Sequence, residues 1–167
     1  MRRLTSIPAL TLIALLCATA CQRGARPLVA GTDACDFCRM TISDVRFGAE
    51  LMSRTGRIHT FDAIECPASF YLDAEARDDV GGVWVADFES GRLITADSAV
   101  FLQGGSLRSP MGRSLVAFAP GSDAQALVRQ YGGSVLSWSD LLARARQERL
   151  TPGAEPPHEH DADGAGR

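Results

Sequence analysis

The sequence predicts an α+β fold made of two small related lobes, and three kinds of observation lead to this prediction. Short apolar runs predict strands, stretches with helical spacing and capping residues predict helices, and one short motif occurs twice. The motif has a glycine, a β-branched residue, a hydroxyl residue and an aromatic residue in fixed order, at 56–64 and again at 133–141. At both places it predicts a strand directly before a helix, which indicates two lobes of similar construction.

Five strands are predicted from runs that alternate apolar and polar residues or are continuously apolar. They are 47–53, 57–61, 83–88, 115–119 and 134–138. Three helices are predicted from their starts and from apolar residues at helical spacing. They begin with a capping box of Asp62 and Glu65, with a second capping box of Ser122 and Gln125, and near Ser139. Pro67 favours a later start for the first helix, because proline fits poorly in a helix interior.

The first 20 residues have the features of a bacterial lipoprotein signal peptide, with a basic start and an apolar run from Ile7 to Leu16. Small residues precede Cys21, which is predicted to be lipidated and to become the mature N-terminus. The alternative is an ordinary secretory signal peptide that is cut near Ala20. Lipid at Cys21 would anchor the protein on the periplasmic face of a membrane. Gln22 stands where an aspartate would favour the inner membrane, so the outer membrane is preferred.

The chain is predicted to divide into four segments. They are the lipoprotein signal peptide (1–20), a flexible tether (21–32), one folded domain (33–150) and a disordered tail (151–167). The tail contains His158 and His160, which form a poor metal site on a flexible segment. The net charge of −3 gives no indication of nucleic-acid binding. His59 is the only histidine in the domain, and no catalytic constellation accompanies it, which argues against a hydrolase.

The chemistry of the domain is concentrated in the segment Cys35-Asp36-Phe37-Cys38-Arg39-Met40. Three sulfur-bearing side chains lie within these six residues. Thiolate and thioether are soft ligands, and soft ligands select Cu(I) among the common biological metals. A methionine at this spacing argues against zinc, whose sites use cysteine, histidine and carboxylate.

Three alternatives to a copper site stay open for the same segment. Export makes a disulfide between Cys35 and Cys38 reasonable. The pair also matches the spacing of a thioredoxin-like redox motif, although no strand precedes it. Half of a four-cysteine zinc site is the third alternative, but the chain contains no second CxxC pair.

Three further residues are candidates for the same site. Met111 lies in the turn Ser109-Pro110-Met111-Gly112, where it either points outward as a ligand or fills a gap in the core. Cys66, in the first predicted helix, is interpreted as a small buried hydrophobic residue, with a role as metal ligand as the alternative. His59 lies on a predicted strand, and a nitrogen ligand there is the alternative to an ordinary surface or hydrogen-bonded histidine.

Taken in order, these motifs closely resemble the NosL family of nitrous oxide reductase accessory lipoproteins. The resemblance runs from about Cys35 to Leu141. It rests on Cys35-x-x-Cys38-x-Met40, on 42–50 and 56–66, on Ser109-Pro110-Met111-Gly112, and on 116–118 and 132–136. The ordered set is more specific than any single motif.

This resemblance implies two small ββαβ lobes with a fold similar to organomercurial lyase, and a membrane-anchored periplasmic chaperone that binds one Cu(I). The implied role is to supply copper to nitrous oxide reductase, beside an ABC transporter and its periplasmic maturation partner. The implied ligands are Cys35, Cys38, Met40 and Met111. A nitrogen ligand would be consistent with such a site, and His59 is the candidate.

Three positions depart from the family pattern. Arg39 stands where glycine is frequent, Val45 where proline is usual, and Pro67 follows Cys66 where an apolar residue is usual. None of them removes a ligand, but they favour, as an alternative, a copper chaperone for another enzyme such as cytochrome oxidase. The sequence also leaves open a thiol oxidoreductase that uses Cys35 and Cys38, and a lipoprotein with a structural disulfide. Carbon–mercury cleavage would need acidic and thiol groups that the sequence does not bring together, so a non-enzymatic function is predicted.

Overall fold

The architecture comes from a computed structural model that describes residues 25–72 and 79–150, without the side chains of 149 and 150. The predicted signal peptide, the lipidation site Cys21 and the histidine-containing tail lie outside these residues. The described strands are β1 (Ala49–Ser53), β2 (Ile58–Phe61), β3 (Val80–Ala86), β4 (Leu93–Thr95), β5 (Val100–Gln103), β6 (Leu115–Phe118) and β7 (Ser134–Leu136). The described α-helices are α1 (Glu65–Tyr71), α2 (Ala124–Tyr131) and α3 (Trp138–Leu150), and short 3₁₀ helices cover Val45–Phe47 and Ala96–Ser98. None of these helices has the length and apolar composition that a membrane crossing requires.

Two antiparallel sheets confirm the α+β class and the two-lobe arrangement. The first sheet has the order β2-β1-β3-β4, and the second has the order β6-β5-β7. Each lobe runs strand, strand, helix, strand, and in each the first strand lies between the other two. The predicted ββαβ lobes are therefore present in both halves of the domain.

The repeated motif, however, does not mark equivalent elements of the two lobes. Its first copy covers β2 and the start of α1, whereas its second copy covers β7 and the start of α3. By position in the sheets, β2 corresponds to β6. The motif therefore reflects a local requirement shared by two strand-to-helix junctions. The inference of an internal repeat from this motif was wrong, although the two lobes are present.

The helix starts also differ from the predicted capping boxes. Asp62 does not cap α1, since its carboxylate accepts a hydrogen bond from the Ser43 N–H instead. Helix α2 is capped by Asp123, which accepts from the N–H groups of Gln125 and Ala126, and not by Ser122. Pro67 fits because it lies in the first turn of α1, where backbone N–H groups have no partner within the helix.

The two lobes share one hydrophobic core. Residues of the first lobe, such as Phe61 and Val85, cluster with Phe101 and Trp138 of the second, and all four are buried. Hydrogen bonds join the sheets where β3 ends, because the Phe88 N–H donates to the Ala117 carbonyl and the Asp87 carboxylate accepts from the Ala119 N–H. The lobes consequently hold their relative position, which a site between them needs.

The part of the predicted tether that the structure describes, 25–32, lies against the first sheet. The Arg26 N–H donates to both carboxylate oxygens of Glu50, at 3.3 and 3.2 Å, and Glu50 is fully buried in β1. The Arg26 guanidinium forms a two-pronged ion pair with Asp33, and the Gly31 N–H donates to the Ile42 carbonyl. These bonds fix the chain as far back as Arg26, while the boundaries of the four segments stay predictions.

Candidate metal site

Three cysteine side chains meet at the edge of the shared core. The sulfur atoms of Cys35, Cys38 and Cys66 all lie within 4.8 Å of one another. All three are free thiols, so the disulfide considered from the sequence is not formed in this structure. Cys35 and Cys66 are each only 1% exposed, whereas Cys38 is half-buried. The cluster thus has two sulfurs on the inside and one that is open to solvent.

The loop 35–40 is held in shape by its own backbone. The Cys35 N–H donates to the Met40 carbonyl, and the Arg39 N–H donates to the Cys35 carbonyl. The turn needs a left-handed conformation at Arg39, whose φ is 67°. This conformation costs a residue with a side chain about 1 kcal/mol, which explains why glycine suits that position. The loop therefore keeps both of its cysteine sulfurs on one side.

Strand β2 brings the third sulfur to this loop. The Asp36 N–H donates to the Thr60 carbonyl, and the Thr60 hydroxyl donates to the Ala34 carbonyl, so the loop runs along the edge of the sheet. The chain leaves β2 and enters α1 directly, which places Cys66 in the first turn of the helix under the loop. Cys66 is buried, as its sequence interpretation expected, and it also contributes to the cluster.

Hydrogen bonds among the three sulfurs shift the pKa values of the cysteines in different directions. The Cys66 thiol bonds to the Cys35 sulfur and lowers the pKa of Cys35 to about 5, helped by backbone N–H groups of Cys38 and Asp62. The same bond, together with burial, raises the pKa of the Cys66 thiol. Burial also raises the pKa of Cys38. At neutral pH the cluster holds one thiolate that two thiols surround, an arrangement in which a metal ion can replace protons.

We expect the apoprotein to show this thiolate directly. Ultraviolet thiolate absorbance should rise as the pH increases through about 5, since Cys35 loses its proton there. In Cys66→Ala the thiol donor is gone, so the midpoint should move upward toward the ordinary cysteine range. The measurement is an anaerobic absorbance titration, and Cys35→Ser is the control that should lack the low-pH step. An unshifted midpoint in Cys66→Ala would show that Cys66 does not bond to Cys35.

The remaining predicted ligands differ in their exposure to solvent. The Met40 and Met111 side chains are 48% and 37% exposed. His59 is outside the cysteine cluster, and its Nδ1 lies 2.7 Å from the Asp36 carboxylate while its ring packs on Phe70. The assignment of Met40, Met111 and His59 as ligands stays a prediction.

The loop that carries Met111 brings a charged residue of the second lobe close to α1 of the first. Arg113, two residues further on, faces the same small cavity as Glu65, which directly precedes Cys66. The hydrogen bond to Glu148 is the main cause that raises the pKa of the Arg113 guanidinium. The candidate site therefore lies where both lobes meet.

Known proteins resemble this chain in sequence and in structure. The model of the NosL family matches residues 28–145. A copper-binding lipoprotein NosL from Stutzerimonas stutzeri is 30% identical over 143 residues, which cover 80% of this chain and 75% of that protein. The crystal structure of the copper chaperone NosL from Shewanella denitrificans has 27% sequence identity and a TM-score of 0.60, and the match covers 71% of this chain and 95% of that one.

Proposed function

The chain belongs to the NosL family, and from that premise we propose that it is a copper chaperone that holds one Cu(I) at the three-cysteine cluster. The observation that carries the proposal is the convergence of three free sulfurs, two buried and one open to solvent. The names of its relatives, a copper-binding lipoprotein and a copper chaperone, support the same metal.

The chemistry of the sulfur ligands supports Cu(I) as the oxidation state of the bound copper. Thiolates are soft ligands, and soft ligands select Cu(I). A monovalent ion is also less dependent on hard oxygen ligands than a divalent one. Asp36, the carboxylate that directly follows Cys35, is engaged with His59, and the three sulfurs lie close enough together to share one ion.

Transfer by ligand exchange fits the unequal exposure of the sulfurs. Cys38 is half-buried, and Met40 in the same loop is exposed, so an incoming thiolate or thioether can reach copper from that side. Cys35 and Cys66 would hold the ion from the inside until the partner has bound. Such a hand-over forms and breaks metal–sulfur bonds only, and it requires no catalytic residue.

The proposed destination is the copper centre of nitrous oxide reductase, with an ABC transporter and its periplasmic maturation complex as partners. The family supports this destination, and another copper enzyme, such as cytochrome oxidase, is the second candidate. Lipid on Cys21 would hold the protein on the periplasmic face of a membrane, with the outer membrane favoured by Gln22. The lipoprotein name of the Stutzerimonas stutzeri relative supports the anchor.

The test is an anaerobic titration of the reduced protein with Cu(I) against a chromogenic chelator. We expect one tightly held Cu(I) per chain. If no copper is withheld from the chelator, the copper function fails. If the Cys35–Cys38 dithiol also reduces the disulfides of insulin and is itself oxidised to a disulfide, the low pKa of Cys35 would instead serve a thiol–disulfide protein.

Met111 offers a sharper test of the ligand set. Met111→Leu keeps the size and apolar character of the side chain but removes the thioether sulfur. If Met111 is a ligand, we expect the Cu(I) affinity to fall by about tenfold, which corresponds to about 1.4 kcal/mol. The matched control is Met52→Leu, because Met52 is buried in β1 and should leave the affinity unchanged. Equal affinity in both variants would remove Met111 from the site.

A further inference from the structure

The outer face of the first sheet, which points away from the shared core, is covered only in part. Residues paired across neighbouring strands share a face, so Glu50, Thr60 and Trp84 all lie on the outer one, while Leu51 points into the core. The segment 25–34 covers the β1 and β2 part of this face, since it makes hydrogen bonds to Glu50 and Thr60. Over β3 and β4 the described chain leaves a cavity of about 350 Å³.

Apolar side chains form the walls of this cavity. Leu28 lines one side, and Trp84 and Leu93 line the other. Leu93 lies on the same face as Trp84 because it pairs with Ala86, two residues further along β3. The three side chains are each partly exposed, so the cavity presents apolar surface to solvent.

Two glycines make room for these walls. A Cβ on Gly48 would lie 2.5 Å from the Leu28 side chain, and a Cβ on Gly82 would lie 2.5 Å from the Trp84 indole ring. Both distances are far below an ordinary van der Waals contact, so each side chain lies directly on glycine backbone. The walls of the cavity are therefore packed parts of the fold.

An unpaired cation lies at the rim of the cavity. Arg92 lines it beside Leu93 and is exposed, and its guanidinium has no ion pair or hydrogen bond within the described part of the chain. The Arg26 guanidinium, in contrast, is paired with Asp33. An indole ring, aliphatic side chains and a free arginine together suit the boundary of a phospholipid bilayer, where acyl chains meet phosphate groups.

The chain that precedes the cavity leads back to the proposed lipid attachment site. Ala25 lines the cavity and follows Cys21 by four residue steps. Each step spans at most about 3.5 Å, so a lipid on Cys21 would be attached within about 14 Å of the cavity wall. The bilayer that holds this lipid would thus be within reach of the cavity.

We propose that this cavity is the surface by which the domain docks on the bilayer. A phospholipid phosphate lies at Arg92, and the first carbons of the acyl chains contact Trp84 and Leu93. The inference rests on the lipid anchor of the proposed function and goes beyond it, because an anchor alone leaves the domain free to rotate.

Docking through β3 and β4 leaves the cysteine loop accessible. That loop runs along β2, at the other edge of the sheet. Three strand spacings, about 14 Å in all, separate β2 from β4. A copper partner could therefore approach the loop while the domain stays docked.

The two tryptophans of the chain make docking measurable. Trp84 lines the cavity, whereas Trp138 is 6% exposed in the shared core. The full lipidated chain is reconstituted into vesicles of phosphatidylethanolamine and phosphatidylglycerol, with acyl chains that are brominated near the headgroup. We expect these lipids to quench the tryptophan fluorescence of the wild type, compared with the same vesicles without bromine. In Trp84→Phe, which retains only Trp138, quenching should be absent.

Arg92→Gln tests the contribution of the cation. We expect the ratio of docked to undocked domains, measured by the quenching, to fall about fivefold. Arg57→Gln is the matched control, because Arg57 is also exposed but lies at the opposite end of the sheet, before β2. Equal quenching in wild type and Arg92→Gln would contradict a phosphate at Arg92.

Mass spectrometry of the same sample separates the possible failures. If Cys21 carries acyl chains and the wild type is not quenched, the proposal is overturned and the cavity has another occupant. A blue shift of Trp84 emission that grows with protein concentration without lipid would assign the face to a second copy of the chain. A mass without acyl chains would remove both the anchor and this inference. None of these readouts uses copper, so a docked chain that binds no Cu(I) would end the copper function and leave this inference standing.

Discussion

Replacing Cys66 with serine should lower the affinity for Cu(I) by about two orders of magnitude or more. The reason is that Cys66 would supply one of three metal–sulfur bonds, and even the loss of an outer hydrogen-bond partner costs metal sites about 10- to 100-fold. Serine is close in size to cysteine, so the buried position keeps its packing. Its hydroxyl is a hard ligand, which binds Cu(I) poorly.

The measurement is the same chelator competition, made at a temperature where thermal unfolding shows the variant to be folded. Cys38→Ser is the companion variant, because Cys38 is the sulfur open to solvent. We expect both variants to lose tight binding. If Cys66→Ser binds as the wild type does while Cys38→Ser does not, Cys66 is a core residue only, and the inner side of the site is formed by Cys35 alone.

Gly105→Ala should destabilise the second lobe by about 3 kcal/mol or more, which is in the range of severe single mutations. Gly105 has a φ of 71°, and a Cβ there would overlap the Tyr131 carbonyl oxygen. That oxygen accepts the hydrogen bond of the Ser106 N–H at the end of α2, so it cannot move away without breaking a backbone contact. The loop after β5 and the end of α2 therefore both have to shift.

A matched variant separates this clash from the cost of the backbone conformation. Gly121 has a φ of 82°, and a Cβ there would meet nothing within 4 Å. Gly121→Ala should therefore cost only the left-handed conformation, about 1 kcal/mol. Thermal or urea unfolding of both variants measures the difference. Equal losses would show that the approach of Gly105 to Tyr131 has no energetic consequence.

The sequence predicted best those structural features that depend only on residues close together in the chain. Strands β1 and β2 could be predicted from their apolar patterns, and the left-handed turn of the cysteine loop explains why glycine suits the position that Arg39 occupies. Strands β4 and β5 were not predicted, although they are as long as β7 and β2, which were. Their place is set by pairing with β3 and β6, which no local pattern contains.

The third sulfur of the site depends on such a long-range contact. The CxxC spacing predicted Cys35 and Cys38 as neighbours, but Cys66 reaches them only because the loop runs beside β2 and the chain then turns into α1. The expected capping role of Asp62 failed for a related reason. Its carboxylate bonds to Ser43, which the fold brings close from a distant part of the chain.

The bonds of Arg26 to Glu50 and Asp33 limit the length of chain that would separate the folded domain from a lipid on Cys21. Five residue steps separate Cys21 from Arg26, and each spans at most about 3.5 Å. The point of lipid attachment would therefore lie at most about 18 Å from Arg26. With lipid on Cys21, the domain would be confined to a thin layer above the membrane. It would then diffuse in two dimensions at a nearly fixed height, and any partner would have to present its binding face within that layer.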